Sequence, residues 1–173
     1  MILIVDCCSE ELSSREFVKP IQAIVKNKEN KIVKLSEVTK HIDESEKIIL
    51  CGTALKDFTY LDADFSWLKD CKKPVLGICA GMQLIAISLG AKLIDNKEIG
   101  MTPIITKDNV LGEIKEAYQL HGKSTTLPKG ATVLYENSSG IQGFKKDNFF
   151  AIQFHPEVRN KQIVERFVNQ INL

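Results

Sequence analysis

The sequence predicts an α/β protein: an open, mostly parallel sheet with helices on both faces, flavodoxin-like in class, extended by an antiparallel region in its C-terminal half. Three observations predict it. The runs ILIV (2–5), KIILCG (47–52) and KPVLGIC (73–79) are apolar enough to be strands buried on both faces. Helical spacing of apolar residues follows the first and the last of these runs. From about residue 92 the texture changes to short alternating strands and turns.

In chain order, ILIV reads as a strand ending at Asp6, and the absence of a basic stretch before it argues against a signal peptide. Residues 13–27 read as a helix, with Pro20 marking a kink or a late start. KIVKL (31–35) alternates like a strand, and KIILCG ends a buried strand in glycine. An irregular loop follows, TALKDFTYLDADF, then a short helix, SWLKDC. KPVLGIC is the next buried strand, and AGMQLIAISLGA (80–91) is a helix with Gly90 near its end. The segments TPIIT, EAYQL, ATVLYEN, IQGFKK and FFAIQF are expected to add antiparallel strands to the same sheet. A helix over 161–171 closes the chain, and with no repeat or linker, 1–173 is expected to be a single domain.

The bulk numbers exclude several function classes. The chain has 173 residues, 44% hydrophobic and 26% charged, with 23 basic and 22 acidic residues for a net charge of +1. That balance predicts neither a nucleic-acid nor an anionic-membrane partner. No apolar run approaches the about 20 residues a membrane span needs. Five cysteines, none in a C-x-x-C, fit a reduced, cytoplasmic setting better than disulfides or a metal site.

Chemistry concentrates in GICAGM (77–82). Its G-x-C-x-G spacing is that of a nucleophile elbow with a thiol in place of the serine. A buried core cysteine in a strand-to-helix turn is the competing reading, and the hexamer alone leaves both open. As a nucleophile, Cys79 gains from the helix N-terminus, which favours thiolate, and the Ala80 amide supplies half of an oxyanion hole. It also needs a base. There are three histidines. His41 lies in a charged stretch and reads as a surface residue. His155 follows the strand FFAIQF, so it falls on the same carboxyl-end rim as Cys79 and Gly52. Pro156 is expected to keep it extended, which would aim Glu157 at its ring. Residues 117–124, AYQLHGKS, match a relaxed P-loop, but Tyr118, Leu120 and His121 crowd it and TTLPKG cannot continue a helix.

PVLGICAGMQLIA paired with FAIQFHPEV resembles the class I (triad) glutamine amidotransferases, over most of the chain. The resemblance implies that family's fold, with Cys79 as nucleophile, His155 as acid and base, and Glu157 as orienting carboxylate. It implies an oxyanion hole from Ala80 and from Gly52 or Thr53, and Gln83 as a contact to bound glutamine. It places Leu120, His121 and Gly122, in LHGKSTTLPKG, on the rim that holds the substrate's amino-acid end, which makes His121 a rim residue and not the base. The family's oxyanion loop usually reads Gly-Gly; here it reads Gly52-Thr53, and threonine tolerates positive φ less well. The implied reaction is glutamine hydrolysis with no metal or organic cofactor. The ammonia would pass to a separate ATP-dependent synthetase subunit, and within the family the rim and QFHPEV are most similar to the amidotransferase subunits of two-part GMP synthases. A stand-alone γ-glutamyl hydrolase or peptidase, or a catalytically silent regulatory module on the same fold, are the alternatives. Cys7, Cys8, Cys51 and Cys71 read as structural.

Overall fold

The computed structural model describes residues 1–171. Its main sheet has eight strands in the order β2-β1-β3-β4-β10-β9-β8-β6. The parallel half is β1 (Ile2–Asp6), β2 (Asn30–Lys34), β3 (Lys47–Leu50), β4 (Val75–Ile78) and β10 (Phe149–Ile152). The other half runs antiparallel through β9 (Gly140–Lys146), β8 (Thr132–Asn137) and the two-residue β6 (Ile105–Thr106).

Side-chain alternation in β1 divides the core. Ile2 and Ile4 join the cluster under the helix pair α1 (Glu11–Phe17) and α2 (Lys19–Ile24) and the last helix, α4 (Gln162–Gln170). Leu3 and Val5 face the cluster under α3 (Ala80–Ser88). Every residue of β1, β3, β4 and β10 is buried, which is why these strands read as unbroken apolar runs.

The expected helix over 13–27 is two helices hinged at Val18. Pro20 occupies the first turn of the second, where its missing N–H leaves no partner unsatisfied. Helix α3 ends in a Schellman motif, with Gly90 at φ +83°, Gly90 N–H donating to Ile87 O at 2.9 Å and Ala91 N–H to Ala86 O at 2.9 Å. Between β3 and β4 the expected short helix at SWLKDC is only a 3₁₀ turn, Ser66–Lys69, preceded by another at Thr59–Asp62, and β2 connects to β3 through a 3₁₀ turn at Leu35–Lys40.

The main correction concerns the C-terminal half. Not all of its strands join the sheet. β5 (Leu93–Pro103) and β7 (Glu116–Thr125) pair antiparallel as a separate two-stranded ribbon. A register shift between Asp95 and Glu98 breaks the period-two pattern that would have marked β5 as a strand. The ribbon lies against the rim of the parallel strands: the His155 amide donates to Tyr118 O of β7 at 2.9 Å.

Candidate active site

Cys79 is the N-cap of α3, at φ 49° and ψ −100°. A non-glycine residue at positive φ is strained. The strain is held by the Cys79 amide donating to Ile152 O of β10 at 2.8 Å and by the Gln83 amide donating to Cys79 O at 3.1 Å. The flanking glycines serve close approach rather than unusual torsions. A Cβ on Gly77 would lie 2.6 Å from the Gly81 carbonyl carbon, and one on Gly81 would lie 2.6 Å from Leu50 Cβ. Strand β4, helix α3 and strand β3 therefore meet backbone to backbone, as a strand-to-helix elbow requires.

His155 is fully buried. Its Nδ1 lies 2.7 Å from Glu157 Oε1, and its ring tilts against Phe17 with centroids 5.3 Å apart. The expected extended geometry is replaced by a turn. β10 stops at Ile152, and the Val158 amide donates to His155 O at 3.2 Å, so the chain folds Glu157 back onto the imidazole. Pro156 sits inside that turn, where its fixed φ is compatible. Burial alone would push the imidazole pKa down. The interactions with Glu157 and Cys79 outweigh burial and hold it well above the ordinary histidine value. Among the described residues, Nε2 of His155 and Oε2 of Glu157 have no hydrogen-bond partner. Gly52, at the end of the β3 run, closes the group: a Cβ there would lie 2.7 Å from His155 Cε1 and 3.3 Å from Cys79 Cβ. Three segments separated widely in sequence, at Gly52, at Cys79 and at His155 with Glu157, thus converge at the carboxyl edge of the parallel strands.

The rest of the rim forms a narrow cleft. Thr53, Ala54, Leu55, Asp57, Phe58 and Tyr60 line one wall, and Leu120, His121 and Gly122 of β7 the other, with Cys79, Ala80 and Gln83 at the base. Its free volume is about 10 Å³, room for about one water. Gln83 is at the base, but both ends of its amide are engaged: Oε1 accepts from the Tyr60 hydroxyl at 2.5 Å and Nε2 donates to Lys123 O at 3.0 Å. The Phe58 ring lies over Gly122, and Lys123 Nζ is 5.7 Å from its centroid. His121 points its ring at β5, with Nδ1 2.9 Å from Asn96 O and Nε2 3.3 Å from Glu98 Oε2. Burial lowers its pKa. The stretch 117–124 lies within β7, so it forms no phosphate-wrapping loop. Thr53 does not adopt positive φ; its hydroxyl is instead bonded to Asp57 Oδ2 at 2.8 Å. His41 is a surface residue whose Nδ1 meets Lys31 Nζ at 3.2 Å.

Sequence reasoning missed two residues here. Gln153 is fully buried and its Nε2 lies 3.6 Å from Cys79 Sγ. A polar residue two places before His155 in an otherwise apolar run was its signal. Asp57 collects donors from Ser9, Thr53 and Thr59; the D-x-T spacing of an Asx turn was its signal. Among the described residues, no cluster of three or more His, Cys, Asp or Glu side chains could hold a metal ion, and no helix is long and apolar enough to cross a membrane.

Comparison with known proteins points the same way. The family model "Glutamine amidotransferase class-I" matches residues 18–171. The glutamine-hydrolysing GMP synthase of Methylobacillus flagellatus is 36% identical over 121 residues, covering 57% of this chain and 23% of that one. The GMP synthase of Vesicomyosocius okutanii is 36% identical over 121 residues, covering 59% and 23%. The chain therefore spans about a quarter of the length of these curated relatives. Among solved structures, a Thermoplasma acidophilum protein assigned as one component of a GMP synthase superposes with a TM-score of 0.82 at 24% identity, over 96% of this chain and 91% of that one. A glutamine amidotransferase from Thermotoga maritima superposes with a TM-score of 0.72 at 22% identity, over 96% and 80%.

Proposed function

The chain belongs to the class-I glutamine amidotransferase family, and from that premise we propose that it hydrolyses glutamine to glutamate and ammonia through a thioester on Cys79 and hands the ammonia to a separate ATP-dependent synthetase. The whole of 1–173 acts as one amidotransferase domain. The observation that carries this reading is the buried His155–Glu157 pair at 2.7 Å, its free Nε2 on the same edge as an elbow cysteine held at φ 49°.

The steps follow from those groups. His155 takes the Cys79 thiol proton as Sγ attacks the side-chain amide carbon of glutamine, forming a C–S bond and placing negative charge on the carbonyl oxygen. Amides of Ala80 and of Gly52 or Thr53 stabilise that charge. His155 protonates the amide nitrogen, the C–N bond breaks and ammonia leaves. Water then attacks the thioester, His155 takes its proton, the C–S bond breaks and the thiol is restored as glutamate leaves. Glu157 orients the ring and stabilises the imidazolium formed in between. Gln83, Leu120, His121 and Gly122 line the amino-acid end of the cleft. The relatives favour a GMP-forming synthetase as the acceptor of ammonia.

The test is steady-state glutamine hydrolysis by the wild type and by Cys79→Ala, each alone and with a GMP-forming synthetase. Hydrolysis that vanishes in the variant and rises with the synthetase supports the reading. Hydrolysis that survives in Cys79→Ala overturns the nucleophile. Full activity alone, unmoved by any synthetase, favours a stand-alone hydrolase.

A further inference from the structure

The loop after β3 is organised around one carboxylate. Asp57 Oδ2 accepts from the Ser9 amide at 2.8 Å, the Ser9 hydroxyl at 2.9 Å and the Thr53 hydroxyl at 2.8 Å. Asp57 Oδ1 accepts from the Thr59 amide at 3.1 Å and the Thr59 hydroxyl at 2.7 Å. Burial would raise the pKa of this carboxyl, but the donors from Ser9, Thr59 and Thr53 outweigh it and hold the group well below the ordinary carboxylate range. Ser9 belongs to the segment just after β1, so the hub ties the loop to the end of a fully buried strand.

This hub is attached at Thr53, the residue beside the triad. At its Gly52 end the Gly52–Thr53 peptide adjoins a Cα packed closely against both His155 and Cys79, and its carbonyl accepts from the Cys8 thiol at 3.5 Å. At its other end the Thr53 side chain is buried and bonded to Asp57. A glycine at 53 would leave the peptide no such handle. An oxyanion donor is effective when it is already aimed before charge develops, because an amide that must first turn loses its advantage.

We propose that Asp57 is a positioning residue for glutamine hydrolysis, fixing the Gly52–Thr53 peptide toward Cys79 by holding the Thr53 hydroxyl. The proposal rests on the reading of Cys79 as nucleophile. It makes Thr53 a functional replacement for the second glycine of the usual loop: side-chain anchoring substitutes for backbone freedom. Asp57 itself touches neither substrate nor sulfur in this role.

Three variants separate this role from simple stability. Thr53→Val keeps the shape and removes the hydroxyl, Thr53→Ser keeps the hydroxyl, and Asp57→Asn sets an NH₂ group against either the Ser9 or the Thr59 backbone N–H. Two reactions at Cys79 are compared. Glutamine hydrolysis builds an oxyanion; alkylation by iodoacetamide displaces iodide and needs no oxyanion hole. In Thr53→Val and Asp57→Asn, kcat should fall about 10²-fold, the loss typical of one oxyanion donor. KM should stay within about threefold and the alkylation rate should be unchanged. Thr53→Ser should lose clearly less kcat than Thr53→Val, because it retains the hydroxyl that Asp57 holds.

A kcat near wild type in Asp57→Asn overturns the proposal, as does alkylation falling in parallel with kcat or a Thr53→Ser enzyme as slow as Thr53→Val. Wild type that hydrolyses no glutamine, with or without a synthetase, would instead defeat the underlying functional reading. The pin then stands or falls on amide hydrogen exchange in segment 51–56. Faster exchange in Asp57→Asn supports it, and unchanged exchange overturns it.

Discussion

A Cβ placed on Gly52 would lie 2.7 Å from His155 Cε1 and 3.2 Å from Nδ1. The imidazole is therefore wedged between the Gly52 backbone, the Phe17 ring and the Glu157 carboxylate. Gly52→Ala should push the ring aside by a few tenths of an ångström or more. Misplacement of a catalytic group by about 1 Å can cost about 10²-fold in rate. The expected outcome is a kcat reduced by between about tenfold and 10²-fold in a protein whose urea midpoint shows it still folded. An unchanged kcat would mean that the ring has slack the packing does not show.

An electrophilic glutamine analogue should label Cys79 alone. All five cysteines are free and buried. Burial pushes the Cys8 thiol up to about 12, and raises Cys7, Cys51 and Cys71 as well. Low thiolate content makes all four slow nucleophiles. Cys8 is the sharpest control, because its thiol donates to Gly52 O at 3.5 Å and so borders the site. Peptide mapping that found the adduct on Cys8 would remove Cys79 from the nucleophile's role.

Glu157→Gln should bind glutamine as before and turn it over more slowly, by on the order of 10²–10⁴-fold. The amide can still bond the ring but cannot stabilise its positive charge. Stability should change with pH as well. The native His155 pKa is raised, so its charged form is favoured by folding. That stabilisation is complete below the free-histidine value of 6.5 and fades as pH rises through the higher native value. The difference in urea midpoint between wild type and variant should thus be larger near about pH 6 than near about pH 10. Equal differences at both would show that the pair adds no charge-dependent stability.

The central strands of the parallel half, β1, β3, β4 and β10, were legible because they are buried on both faces and read as apolar runs, while the edge strand β2 was legible from its alternation. The elbow was legible for a related reason: Gly77 and Gly81 have no use in an apolar strand and helix unless backbones touch there, and they do. The β5–β7 ribbon was hidden, since the break between Asp95 and Glu98 destroys its alternation and its outer face carries exposed apolar residues such as Ile99 and Met101. Thr53 was read from torsion preference alone, which missed that its side chain has a partner four residues on. Likewise Gln83 was read as a free substrate contact. Nothing local in the sequence could show that Tyr60, distant by one loop and one strand, would meet it.

That contact leads to a prediction about substrate entry. The cleft at Cys79 is narrow, with room for about one water, so admitting a glutamine side chain is expected to displace the Phe58 and Tyr60 side chains from its wall while the Asp57 ties at Thr53 stay in place. The Tyr60 hydroxyl bonded to Gln83 Oε1 is one of the ties that keep the cleft shut. Tyr60→Phe removes the donor and leaves the buried Gln83 oxygen unsatisfied in the closed form, a penalty of about 1–3 kcal/mol. An open form gains by the same amount, because water or substrate can reach Gln83 there. Apparent affinity rises with the fraction of molecules already open. In a Cys79→Ala background, Tyr60→Phe should therefore tighten glutamine binding by about tenfold, read by calorimetric titration. Weaker binding would show that the Tyr60 hydroxyl contacts the bound substrate, and that closure over glutamine, rather than opening to admit it, is what this side chain stabilises.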